Sequence, residues 1–259
     1  MTSFQSTPIF AFASGKGGVG KTSICLNLAH LLAKKGKKVA VFDGDFGLAN
    51  ADVQLGLTTE KDLSDVLRGQ ATLQDIMVKS DKGFWLIPGR SGTQNLPFMN
   101  ALQRHNLLEE LKQLAASFDA VFIDVPAGLD ENVLSLCTCA DKTLLVTTPD
   151  PSAITDAYAI IKLLAKRYDN QSCHLIANQA ASVTEGQQTA TKIVTAAKNF
   201  LGVSVPVFGQ VPYDRNYAAA VKMQQLVTQA FPNTKASEGL STLANQIIDN
   251  LDYPRRLTG

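Results

Sequence analysis

The alternation of apolar and polar positions divides the chain into short β-branched and aromatic runs separated by longer segments of helical period. Runs 9–13, 38–43, 84–87, 120–124, 143–147, 173–177 and 205–211 are apolar nearly throughout and bounded by turn residues, as expected of strands buried on both faces. Segments 21–35, 102–116, 154–168 and 189–200 place apolar residues at helical spacing with few breakers. Strands that alternate with helices predict an α/β fold with a mostly parallel central sheet between two helix layers. No repeat, low-complexity tract or Gly/Ser linker interrupts the pattern, so residues 1–259 are expected to form one domain.

Composition adds exclusions. A chain of 259 residues buries about three quarters of its unfolded surface, so its core requires neither disulfides nor a structural metal. Lys and Arg total 24 against 23 Asp and Glu, a net charge of +1, which argues against a disordered chain and against constitutive, charge-driven DNA binding. No apolar stretch approaches the length of a membrane span and no basic-then-apolar leader opens the chain, so the expected compartment is the cytoplasm. The four cysteines, Cys25, Cys137, Cys139 and Cys173, lack C-x-x-C spacing. Cys137 and Cys139, two apart on a helix, point to nearly opposite sides and are poorly placed to clamp one ion.

The first strand is followed by Gly15-Lys16-Gly17-Gly18-Val19-Gly20-Lys21-Thr22, an ungapped G-x-x-x-x-G-K-[ST], with Ser23 next. Glycines let the backbone turn tightly and aim its amides inward, while the next helix offers its positive amino end to the same anion. Lys21 is expected near the terminal phosphates and the Thr22 hydroxyl on a bridging Mg²⁺. Lys16 is a second cation in the loop, either reaching another subunit's nucleotide or solvated.

Two strands end in acids. After 39–42 come Asp43 and Asp45, two apart and hence on one side if extended, where one carboxylate can order a magnesium-bound water and Asp45 can position the attacking water. After 120–123 comes Asp124, a metal-site candidate acting through water, and then Val125-Pro126-Ala127-Gly128, whose amides, Gly128 included, could sense a terminal phosphate. Strand 173–177 ends at Asn178, a carboxamide suited to the N6/N7 edge of adenine, while Gln179 and Ala181 stand where guanine-selective N-K-x-D needs Lys and Asp. ATP is therefore expected over GTP.

The run Lys16-Gly17-Gly18-Val19-Gly20-Lys21-Thr22 resembles the K-G-G-x-G-K-[ST] signature of the MinD/ParA family of deviant P-loop ATPases, and the resemblance spans most of the chain. It implies a MinD-like P-loop NTPase fold of the SIMIBI class, ATP and Mg²⁺ as ligands, ATP hydrolysis, and an ATP-bound homodimer in which Lys16 touches the partner's phosphates. By position it makes Asp45 the attacking-water aspartate, Asp43 a supporting magnesium-site residue, Asn178 the adenine contact and Val211-Pro212-Tyr213-Asp214 the segment bordering the base.

Gly47-Leu48-Ala49-Asn50-Ala51-Asp52, Ile154-Thr155-Asp156-Ala157-Tyr158-Ala159 and the region 225–243 with Ala230-Phe231-Pro232 are similar to FlhG/FleN-type members, which regulate flagellar number and placement. That resemblance implies a protein partner such as a flagellar switch component or transcriptional activator, and transient association with the inner membrane or cell pole. MinD-type division-site control or ParA-type DNA partition is the alternative, an iron-sulfur carrier a remoter one. No D-Q-A-x-x-L-R motif precedes the first strand, so activation of a partner GTPase by that route is not expected. Leu240, Leu243, Ile247, Ile248 and Leu251 share a helical face without a cationic side, which suits core packing, and Pro254 interrupts Arg255-Arg256-Leu257 beyond it.

Overall fold

The computed structural model describes residues 7–45, 50–89, 99–168 and 172–252. Its strands are β1 (Ile9–Ser14), β2 (Val39–Asp43), β3 (Val78–Lys79), β4 (Trp85–Ile87), β5 (Ala120–Ala127), β6 (Lys142–Thr147), β7 (Cys173–Ala180) and β8 (Val207–Pro212). Its helices are α1 (Lys21–Lys34), α2 (Ala51–Leu55), α3 (Leu63–Leu67), α4 (Leu73–Ile76), α5 (Ala101–Ala115), α6 (Glu131–Cys139), α7 (Pro151–Tyr168), α8 (Val183–Leu201), α9 (Arg215–Lys222), α10 (Val227–Ala230) and α11 (Lys235–Asp252).

One sheet orders the strands β3-β4-β2-β5-β1-β6-β7-β8, with every neighbouring pair parallel except β3–β4. Period-two alternation sends the two sides of each strand into separate cores. Phe10, Phe12, Val39, Val41 and Phe122 pack with α1 and α11, whereas Ala11, Ala13, Phe42, Val121 and Ile123 pack with α5, α6, α7 and α8. Phe122 meets Phe10 and Phe12 edge-on at centroid distances of 5.7 and 5.1 Å, which fastens β5 to β1 beneath the strand ends. Leu240, Leu243 and Ile247 on α11 are buried in the first of these cores, as their spacing suggests. Pro254 to Leu257 lie outside the described residues, as do Gly47, Leu48 and Ala49. No described helix is long and apolar enough to cross a membrane.

The chain leaves β1 for β2 on one side of the sheet and later crosses from β5 to β6 on the other, so the connections diverge at β1. A parallel sheet opens a crevice at such a divergence, beyond the carboxyl ends of its strands. The loop after β1, Asp43 at the end of β2, Asp124 within β5 and Asn178 within β7 all lie along that edge.

Candidate nucleotide site

The loop between β1 and α1 is shaped by close approach and by left-handed backbone. A Cβ on Gly15 would lie 2.6 Å from Cβ of Asp156, and Gly18 and Gly20 have φ of +78° and +90°. Nothing stands within 4 Å of where a side chain on Gly17 or Gly18 would project, and both residues are exposed. Gly20 is the N-cap of α1, with no side-chain cap and no acid in the first turn. Asp62, Thr72, Asn100, Asp130, Ser182 and Asp214, by contrast, cap the helices that follow them through side-chain oxygens. A helix start left bare, with its first amides unclaimed, is a ready anion site. The buried Ser14 hydroxyl at the foot of the loop has no hydrogen-bond partner among the described residues.

The paired acids are set by strand register. Asp43 on β2 stands directly beside Asp124 on β5, and the Gly44 amide donates to the Asp124 carbonyl at 2.9 Å. A Cβ on Gly44 would be 2.9 Å from Leu136, so only glycine follows Asp43 without displacement. Lys21 Nζ lies 2.6 Å from Asp124 Oδ1 in an ion pair with both side chains largely buried. Asp43 accepts from the amides of Asp45, Asn50 and Ala51 at 3.0 to 3.2 Å. Burial first and the Asp124 charge second push its carboxyl up to about 7, against the opposing pull of those amides and Lys21. Two buried carboxylates, one of them paired with Lys21, suit a divalent cation, as does Thr22 at the start of α1. The residues present therefore fit Mg²⁺.

Several side chains are engaged differently from the sequence expectation. Lys16 Nζ is held within its own subunit by Ser152 Oγ at 2.7 Å and Asp150 Oδ1 at 3.2 Å, at the start of α7. The Ser152 hydroxyl, then Lys16 and the Ala153 and Ser152 amides, hold the Asp150 carboxyl well below the usual carboxylate range. Ser23 donates its hydroxyl to Gln54 Oε1 at 2.9 Å, which leaves only its amide for a phosphate. The Gly128 amide donates to the Ser14 carbonyl at 3.1 Å and must exchange that partner before it could sense an anion. Asn178 is buried, and its amide nitrogen donates to Val19 O at 2.7 Å, so part of its carboxamide secures the phosphate loop. In the segment bordering the base, Val211 is fully buried and Asp214 caps α9 through the Asn216 amide, whereas Pro212 is half-buried and Tyr213 is 63% exposed. Packing and capping thus withdraw Val211 and Asp214 side chains from a ligand and leave Tyr213 available.

No local motif marks Asp150, Ser152 or Gln54 as partners of the phosphate loop. Asp150-Pro151-Ser152 carries a cap signature with proline at the first helical position, but its tie to Lys16 spans 134 residues. The cysteines are enclosed: Cys25, Cys137 and Cys173 are buried, and burial pushes the Cys137 thiol up to about 12 and Cys139 up to about 11. Metal-binding thiolates need the opposite environment.

A family model described as ParA, NUBPL iron-transfer P-loop NTPase, matches residues 5–248. The antiactivator FleN of Pseudomonas aeruginosa is 36% identical over 259 residues, covering 100% of this chain and 92% of FleN. The flagellum site-determining protein YlxH of Helicobacter pylori is 36% identical over 248 residues, covering 95% and 84% of the two chains. The septum site-determining protein MinD of Pyrococcus horikoshii, solved in complex with Mg-ADP, superposes with a TM-score of 0.76 at 26% identity, covering 93% of this chain and 95% of MinD. The family match begins ahead of β1 and runs well into α11, so that every strand of the sheet falls inside it, and this chain belongs to the ParA/MinD family of P-loop NTPases.

Proposed function

We propose that the protein is an ATP-driven, dimerising switch that regulates the number or placement of flagella. The observation that carries the nucleotide half is the bare amino end of α1 beside the Asp43–Asp124 pair. The flagellar half rests on 36% identity to FleN and to YlxH over 100% and 95% of this chain.

In this reading the amides of Gly15 to Ser23 receive the phosphates, and Lys21 passes from Asp124 to a phosphate oxygen. Thr22, Asp43 and Asp124 would hold Mg²⁺, the carboxylates through water, and a bound ion would supply positive charge against the phosphates. Asp45 positions the attacking water. Lys16 leaves Asp150 and Ser152 for the nucleotide of a second copy, so that triphosphate contacts made only in the dimer shift the monomer–dimer equilibrium. The dimer presents a surface to a protein partner; the description of FleN as an antiactivator favours a transcriptional activator. The reading places the protein in the cytoplasm, with any hold on the inner membrane or cell pole transient. A net charge of +1 gives little support to a DNA-partition role.

Sizing by sedimentation tests the switch. With Mg²⁺ and ATP the wild type should pass from monomer to dimer, while Lys16→Ala binds nucleotide within about threefold of wild type yet stays monomeric. A wild type that remains monomeric at saturating ATP overturns dimerisation. Deleting the gene in its own host should change the number or position of flagella per cell, and unaltered flagellation would sink the flagellar assignment.

A further inference from the structure

Gln179 combines two irregularities at the edge of the site. Its φ is +58°, left-handed backbone shared among non-glycine described residues only with Gln224. It is also the extra residue of a bulge. Asn178 pairs with Val211 and Ala180 with Pro212, so three residues of β7 stand against two of β8. Bulges beside ligand sites re-aim a side chain, and a non-glycine residue held in the left-handed region costs on the order of 1 kcal/mol or more relative to glycine.

The re-aimed side chain points toward the phosphate loop. Its neighbours Asn178 and Ala180 are buried, whereas Gln179 is exposed, and its Nε2 lies 3.7 Å from where a Cβ on Gly20 would stand. The carboxamide makes no hydrogen bond among the described residues, although Asn178 beside it is tied to Val19 and Tyr213 is fixed through its amide to the Ala180 carbonyl at 2.9 Å. A neutral donor–acceptor group thus hangs between the start of α1, which faces phosphate, and the Asn178–Tyr213 end, which borders the base.

We infer that Gln179 is a further nucleotide-binding residue, its carboxamide closing over the ribose and adjoining phosphate of the bound nucleotide. The inference rests on the ATP reading above. It assigns the bulge a purpose: the strand breaks its ladder to lay one amide across the middle of the ligand, the stretch that ATP and ADP share. Glycine would adopt this backbone without strain, so its absence from the position is explained by the side chain and not by the turn.

Gln179→Gly separates the two explanations, because it relieves the backbone and removes only the amide. Nucleotide-free Gln179→Gly should melt at or above the wild-type temperature, while calorimetric titration with Mg·ATP and with ADP shows affinities weakened about three- to tenfold by the same factor. Gln179→Asn, which tolerates left-handed backbone and keeps a shorter amide, should fall between the two. Wild-type affinity in Gln179→Gly, or a loss confined to ATP, would overturn the contact and leave the ATP reading intact. Absence of binding heat from the wild type would overturn the ATP reading, and this inference with it.

Discussion

Asp43 and Asp150 flank the same phosphate loop and do the same local work, each accepting main-chain amides at the start of a helix: Asn50 and Ala51 for α2, Ser152 and Ala153 for α7. Their electrostatic fates are opposite. Asp43 is 1% exposed beside Asp124, and its carboxyl is driven upward, whereas Asp150 faces solvent with Lys16 as counter-ion, and its carboxyl is driven downward. The buried acid accepts amides beside a second carboxylate; the exposed acid pairs directly with Lys16. The loop therefore lies between an acid shifted by burial and an acid shifted by Ser152 and its counter-ion.

Removing the lysine on the buried side should produce the largest effect. Lys21→Met leaves Asp43 and Asp124 together without a cation, and nucleotide-free stability should fall by about 3 kcal/mol in denaturant titrations at neutral pH, with part of the loss recovered in acid. A variant as stable as wild type would mean that the acids are better hydrated than their burial implies. Asp43→Asn acts on the same side with a smaller consequence. The folded-state pKa of Asp43 lies above its unfolded value, so its contribution is complete below the ordinary carboxylate range and is lost as pH rises through about 7. Stability of the nucleotide-free wild type should therefore decline between about pH 4 and about pH 7, and the asparagine variant should show a flatter profile. Parallel profiles would place the titration elsewhere.

The exposed side should respond least. Asp150→Asn keeps a competent cap but withdraws the charge from Lys16, so the melting temperature should stay essentially unchanged while ATP-dependent dimerisation tightens by about threefold in sedimentation. Weaker dimerisation would show that Asp150 guides the lysine across and does not retain it.

The parts of this arrangement differ in how far they can be read from the chain. The central strands are legible because both faces of β1, β2 and β5 are buried, which leaves continuous apolar runs, and the phosphate loop is legible because its function lies in consecutive residues. Helices α2, α3 and α4 span only four or five residues, too few for a helical period, and α3 and α4 rest on the caps Asp62 and Thr72. Helix α8 begins six residues before the expected 189 because its first turns are polar, although Ser182 and Glu185 mark that start. Within the site, the identities of Asp43 and Asp124 are local signals, but their adjacency belongs to the β2–β5 pairing. The attachments of Lys16 to Asp150, Ser23 to Gln54 and Asn178 to Val19 join distant segments and leave no periodic trace.

The ladder joining β2 to β5 acts as a vernier for the chemistry. A slip of one residue between these strands would bring Phe42 opposite Asp124 and carry the other acid out of alignment. Substitutions deep in the aromatic packing around Phe122, remote from any ligand, can for this reason detune catalysis without touching a single reacting group.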